Sequence, residues 1–404
     1  MPPSTDSGRS NKKCKSCSQF EVASEMLIAG GLYREVCETP YWNEEVGSGV
    51  RAAAALCKLC PALELYTYRS TAIGHAFDYL TGLGVIVHCA PRSHDIAFAY
   101  FHPLSTPHIE PTILPVRSAP IVVKGQSVLR FGFLEGSAVV DAERAVYDPQ
   151  TAQSIERFSS NGSRAEELAL VLNEAELRAY TGVDDVVAGA ALLLENNDAD
   201  VVVLKRGVRG ALAVSKDSPA TIIPAYHSGR TFKIGTGDIF SAVFALYWAE
   251  LRCSPVEAAH LASKAVSFYC DFRQVPLPQN FAQDRVPILG PSPSRVILRG
   301  SNATLGRRYS LEEARHCVEM LGIRVIAPDI DPSSHAEGVG LEASLLILAD
   351  GLKETEIRSI LDEHAECATR IVLDEERRAS LLNWTGVMDD FTTAIYSVCW
   401  GRTS

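Results

Sequence analysis

The clearest candidate chemistry in this 404-residue chain is an acid bracketed by glycines. Lys233-Ile234-Gly235-Thr236-Gly237-Asp238 runs straight into an apolar stretch from Ile239 to Trp248. That stretch is too long for a typical strand and lacks polar alternation, so it predicts a buried helix opening near Asp238, with Gly235 and Gly237 in the turn before it. Glycine lets backbone N–H groups approach a ligand closely. A helix N-terminus points unpaired donors and a partial positive charge outward. Such a nest suits a phosphate or a developing oxyanion, and an aspartate placed there can take a proton from a hydroxyl as it attacks phosphorus. The plainer alternative is that Asp238 simply caps a core helix.

The elements that must position this motif are legible as an alternation. Residues 26–29 are apolar and end in Gly30-Gly31, as a buried strand with a glycine turn would. Residues 51–59 read as a helix, and 63–68, 85–88, 96–101, 121–123 and 138–140 as strands. Helices are expected at 165–171, 174–180 and 186–195, and a buried strand of the parallel-sheet type at 201–205. Ser254-Pro255-Val256-Glu257 combines an N-cap, a first-turn proline and an N3 acid, which predicts a helix running to about Cys270. The proline-rich stretch after 276 reads as a linker. Beyond it, strands at 295–298, 324–327, 344–348 and 370–373 alternate with a helix at 310–321, whose capping box would be Ser310 and Glu313, and a last helix at 391–400. Strands alternating with helices imply α/β architecture with a mainly parallel sheet.

Bulk properties narrow the class. The chain is long enough for two domains. Hydrophobic residues make up 47% and charged residues 22%, ordinary for a protein with a sizeable core. The net charge of −11 argues against a general nucleic-acid binder. No apolar run reaches membrane-span length, and residues 1–15 lack a signal-peptide core, so a cytoplasmic protein with no membrane partner is expected. Residues 1–24 are polar and expected to be disordered. Two of the eleven cysteines' spacings, Cys14/Cys17 and Cys57/Cys60, have the form of zinc-ligand pairs. The second pair falls in a core-facing helix and the pairs are far apart, so buried thiols are expected rather than zinc.

Four further features precede the glycine motif in order. They are Gly30-Gly31-Leu32-Tyr33-Arg34-Glu35, Gly47-Ser48-Gly49, Asn173-Glu174-Ala175-Glu176, and Lys205-Arg206-Gly207-Val208-Arg209-Gly210. With these in place, residues 26–280 resemble the ribokinase (PfkB-type) family of sugar and nucleoside kinases. Gly235-Thr236-Gly237-Asp238 is similar to that family's Gly-Ala-Gly-Asp, and Asn173-x-x-Glu176 to its Asn-x-x-Glu. The resemblance implies a ribokinase-like three-layer fold and transfer of phosphate from ATP to an alcohol of a sugar or nucleoside. It makes Asp238 the base and the N–H groups of Gly235, Thr236 and Gly237 the anion hole. Asn173 and Glu176 would organise Mg²⁺ through water, with a plain capping box as the structural alternative. Lys205, Gly207 and Gly210, with Asn173, would lie along ATP. Glu35, Ser48 and Gly49 would hold the acceptor, and a homodimer paired through its lids is possible. Departures are visible: Phe232-Lys233 replaces the usual Asp-Thr, so Lys233 could bring positive charge to the phosphates. Ala53 stands in the position of a substrate-binding Asn, and the lid looks short.

Residues 294–404 resemble the nucleoside 2-deoxyribosyltransferase family through Arg295 to Gly300, Leu305 to Tyr309, Asp350-Gly351 and the segment from Asp389 to Tyr396. This implies a second, smaller α/β domain of flavodoxin/Rossmann-like type. The family's glutamate nucleophile would fall within Arg358-Ser359-Ile360-Leu361, which holds no carboxylate. The expected organisation is therefore a kinase domain at 25–280, a linker at 281–293 and a second domain at 294–404. The alternatives are N-glycosidic chemistry in the second domain and a non-catalytic nucleotide sensor.

Overall fold

A computed structural model describes residues 25–70, 75–113, 117–216, 218–333, 342–378, 381 and 386–400. The expected disordered N-terminus, and with it Cys14 and Cys17, lies outside the described residues. In chain order the elements begin with β1 (Glu25–Ala29), β2 (Arg34–Cys37), β3 (Trp42–Glu45), α1 (Gly47–Leu56), β4 (Ala62–Arg69), α2 (His75–Gly82) and β5 (Ile86–Pro91). There follow β6 (Ala97–Tyr100), β7 (His108–Glu110), β8 (Ile121–Phe131), β9 (Ala138–Asp148), β10 (Arg164–Asn173), α3 (Glu174–Thr181) and α4 (Val186–Glu195). Then come β11 (Val201–Lys205), β12 (Ala211–Ser215), β13 (Ser218–Ile223), α5 (Thr236–Ala245) and α6 (Pro255–Phe272). The chain closes with β14 (Arg295–Gly300), α7 (Leu305–Met320), β15 (Arg324–Ile326), β16 (Ala343–Leu348), α8 (Glu354–Glu363), β17 (Thr369–Leu373), β18 (Val387–Met388) and α9 (Phe391–Cys399).

The fold is α/β with mainly parallel sheets. A nine-stranded sheet has the order β13-β12-β11-β10-β9-β8-β1-β4-β5. Its strands are parallel from β5 to β11, and β12 and β13 close one edge antiparallel. Helices α1, α5 and α6 cover one face, packing Ala53, Ile239, Phe244 and Ala262 against Met26, Ile28 and Val203. Helices α3 and α4 cover the other, with Leu177 and Leu193 against Leu170 and Leu204. Both faces being buried explains the unbroken apolar runs in β10 and β11.

Residues 165–171 are a strand, not the expected helix. Ala169 to Leu172 are buried, with β9 on one side and β11 on the other. A short apolar run cannot by itself separate a buried strand from a helix, and here the two parallel neighbours settle it. The helix expected at 310 begins five residues earlier, capped by Thr304 through a bond from Arg307 N–H, while Ser310 Oγ bonds back to Gly306 O within the helix. The capping box at Ser254 and Glu257 forms as expected.

A separate four-stranded sheet, β3-β2-β6-β7, forms the lid over the carboxyl ends of the main strands. It is larger than the sequence suggested, because β2 and β3 precede α1 and join β6 only in the folded chain. The third sheet, β15-β14-β16-β17-β18, is parallel throughout, the doubly wound order 2-1-3-4-5. The stretch read as a linker packs along residues 225–227: His227 N–H reaches Val286 O and Ile288 N–H reaches Ala225 O.

Candidate active site

Helix α5 opens at Gly235, a left-handed N-cap with φ +78, where any other residue is disfavoured. A Cβ there would also strike the Arg51 guanidinium at 2.1 Å. Asp238 therefore lies at N3, inside the helix, and its side chain does not cap. The Thr236 N–H is committed to Lys233 O at 3.2 Å, while those of Gly237 and Asp238 meet no acceptor among the described residues. The Gly235 N–H likewise meets no acceptor among the described residues, so of the three expected donors only that of Thr236 is committed.

The Asp238 carboxylate is held from two sides. Gln150 Nε2 donates to Oδ1 at 2.7 Å and Arg51 Nη1 to Oδ2 at 2.6 Å. Arg51 is 1% exposed and grips Glu35 with both amino groups, Nη1 to Oε1 at 3.0 Å and Nη2 to Oε2. Burial alone would lower its pKa, but Glu35, Tyr269 and Asp238 together hold it well above the ordinary value. Arg51 was missed in the sequence, although a cation between Val50 and the apolar run Ala52 to Leu56 was a signal, since buried cations need partners. Glu35 lines the cavity beside Asp238, and its carboxylate is engaged by Arg51.

Two half-buried lysines stand at the nest. Lys205 Nζ bonds Asp148 Oδ2 at 2.5 Å, and a Cβ on Gly237 would lie 3.7 Å from it. Burial pulls its pKa down, while Asp148 and then Glu176 lift it above the usual lysine value. Lys233 Nζ donates to Thr236 Oγ1 at 3.1 Å. Its pKa is lowered by burial and next by Lys205. Asp148 is fully buried and also accepts from Ser241 Oγ at 2.6 Å.

Asn173 and Glu176 do form the capping box: Glu176 N–H donates to Asn173 Oδ1 at 2.8 Å and Asn173 N–H to Glu176 Oε2 at 2.7 Å. Glu176 nevertheless lines the cavity with Lys205 and Asp148, whereas Asn173 lines neither cavity at the site. The Glu176 pKa is raised, first by burial, with Lys205 opposing and Asp148 reinforcing. Ser48 lines the cavity and its Oγ accepts from Gly31 N–H at 3.3 Å. Gly49 instead lets α1 approach β1, since a Cβ there would sit 2.4 Å from Gly30 O.

Two cavities meet at this point. One, of about 360 Å³, lies under the lid and is lined by Glu35, Tyr100, Gln150, Glu176 and Asp238. The other, of about 110 Å³, is lined by Gly207, Gly210, Val266, Cys270, Tyr396 and Trp400. Lys205, Lys233 and Gly237 line both.

A third cavity of about 520 Å³ sits at the carboxyl ends of β16 and β17, against lid residues Phe101 and His102. None of α8's residues lines it, so the carboxylates at Glu354, Glu356 and Asp362 are not brought to it. Glu354 pairs with Arg358, and Glu356 caps its own helix. Among the described residues no helix is long and apolar enough to cross a membrane.

No family model matches the chain, and no curated protein does. Solved structures to which it is similar include two ribokinases and a phosphofructokinase-2. A ribokinase from Giardia lamblia is 17% identical, with 64% of this chain and 98% of that chain covered and a TM-score of 0.49. A ribokinase from Cryptococcus neoformans var. grubii serotype A in complex with ADP is 15% identical, with the same coverage and a TM-score of 0.48. The phosphofructokinase-2 from Escherichia coli in complex with potassium is 14% identical over 64% of this chain and 97% of that chain, with a TM-score of 0.46.

Proposed function

We propose that this chain transfers a phosphoryl group from ATP to a hydroxyl of a sugar or nucleoside. The observation that carries this is the meeting of two cavities at Lys205, Lys233 and Gly237, with Asp238 on one side only and the Gly207–Gly210 turn on the other. A phosphoryl group in flight needs cationic and N–H donors around its equatorial oxygens, a base on the acceptor side and a donor site opposite. The acceptor hydroxyl gives its proton to an Asp238 oxygen as its own oxygen bonds to phosphorus and the bond to the leaving phosphate breaks. Arg51 and Gln150 fix the orientation of that carboxylate. The lysines and the N–H groups of Gly237 and Asp238 stabilise the charge on the transferring group.

Magnesium suits the oxygen donors here. Glu176 Oε1 has no partner among the described residues, and the ion binds through one or two carboxylates together with phosphate oxygens. Glu176 would hold it with water, the charge neutralising the phosphates; Asn173 is spent on the helix cap.

ATP consumption against a panel of pentoses, hexoses and nucleosides, with Asp238→Asn beside the parent, tests the proposal. Turnover with one acceptor, lost by about 10²–10⁴-fold in the variant, is the expected result for loss of a general base. A non-catalytic sensor is the second reading, favoured by Arg51 and Gln150 already occupying both Asp238 oxygens. Tight nucleotide binding with no turnover of any acceptor would select it.

A further inference from the structure

The cavity under the lid, on the Asp238 side, has two unlike walls. Phe98 and Tyr100 stand two residues apart on β6, so they share one face of the lid sheet, and both line the cavity while only half-buried. The Phe98 ring rests on that of Tyr33, with centroids 5.4 Å apart, and Tyr33 is pinned by its hydroxyl to Glu135 Oε2 at 2.8 Å. Pro103 and Pro107, between β6 and β7, add to this apolar wall.

The polar wall is almost wholly engaged within the protein. Arg51 takes both oxygens of Glu35. Asp148 accepts from the Gln150 N–H at 3.3 Å on one oxygen and from Lys205 and Ser241 on the other. Asp238 is held by Arg51 and Gln150. Glu176 keeps one oxygen without a partner among the described residues, the one that suits the metal. No carboxylate lining the cavity is thus left to clasp a pair of neighbouring hydroxyls. The Ser48 hydroxyl can still donate, because its oxygen accepts from the Gly31 N–H. Burial first, then Glu35, raises the Tyr100 pKa, so its hydroxyl stays neutral and able to donate. A free hexose bears a hydroxyl on nearly every carbon, and each one buried without a partner weakens binding by about fivefold or more. The volume points the same way. At about 360 Å³ the cavity is more than twice the roughly 150 Å³ that takes one benzene ring, so it has room for two rings.

We infer that the acceptor is a nucleoside, its base lying against Phe98 and Tyr100 under the lid and its pentose presenting the reacting hydroxyl to Asp238. Phe98 is then a specificity-determining residue: it holds the base and takes no part in the transfer. The inference deepens the phosphotransferase reading of this site and rests on it.

The test is calorimetric titration of the full chain with adenosine, guanosine, cytidine, uridine, ribose and glucose, for the parent, Phe98→Ala and Phe98→Leu, followed by ATP turnover with the same compounds. The leucine variant keeps an apolar side chain in the lid should alanine loosen it. At least one nucleoside is expected to bind about tenfold or more tightly than ribose or glucose. Phe98→Ala should weaken that nucleoside by about 5–100-fold, the range for loss of a ring stacked on a base, and leave ribose within about twofold. In turnover the same factor should appear in KM, with kcat held within about threefold, because the ring meets ground and transition states alike. A nucleoside bound no more tightly than the sugars overturns the inference, as does a nucleoside preference that survives in both Phe98 variants. ATP-dependent turnover of a sugar and of no nucleoside, lost in Asp238→Asn, overturns it too and leaves the phosphotransferase standing. A nucleoside held through Phe98 while no compound is phosphorylated overturns the phosphotransferase reading, and with it the nucleoside's role as acceptor.

Discussion

Replacing Arg51 by methionine should be among the most damaging single changes in the nine-stranded unit. The guanidinium is 1% exposed and is shared between Glu35 and Asp238. Methionine fills much of the same space, but it leaves two carboxylates facing each other without the cation that neutralises them. Removing one partner from a buried ion pair costs about 3–5 kcal/mol. At roughly 2–4 °C per kcal/mol for a domain of this size, the midpoint of thermal unfolding should fall by about 6–20 °C. The cost belongs to the uncompensated charge rather than to lost packing, so removing charge should restore it. In Arg51→Met/Glu35→Leu only Asp238 remains, still hydrogen-bonded by Gln150 and near Lys205. That double variant should return to within about 1–2 kcal/mol of the parent, since a buried pair replaced by apolar groups is often nearly neutral. Urea unfolding followed by circular dichroism measures all three. An Arg51→Met protein within about 1 kcal/mol of the parent, or a double variant no better than the single, would refute the reasoning.

Lys233 gives a pH dependence of defined sign. Its pKa in the fold is below the ordinary lysine value, so between the two values the unfolded chain holds more protons and stability rises with pH. Urea midpoints measured from pH 8 to 10 should climb more steeply for the parent than for Lys233→Met, and tripolyphosphate should bind the parent less tightly as the ammonium is lost. Glu176→Gln keeps an acceptor for the Asn173 N–H, so the fold should hold while activation by Mg²⁺ weakens by about tenfold or more, read from metal titrations of ATP turnover. Tyr396→Phe without ligand should be neutral or slightly stabilising, because it removes a buried hydroxyl with no partner; a loss above about 1 kcal/mol in urea unfolding would show that the hydroxyl is satisfied in solution.

What the sequence determined by itself is local. The caps at Asn173 and Ser254, the glycine that opens α5 and the apolar runs of β11 and α5 all act within three or four residues or through a single repeating period, so residue types and spacing are enough to read them. Asp238 and Gly237 were legible as candidates for the same reason, and Lys205 and Lys233 through the family resemblance. Tertiary structure decided whatever depends on distant neighbours. The strand at 164–173 exists because β9 and β11 flank it. Arg51 reaches Asp238 across 187 residues, and α9 meets the Gly207 turn from the far end of the chain. Burial of a charge or a hydroxyl is a property of the assembled layers, and it was burial that turned an unremarked arginine into part of the candidate site.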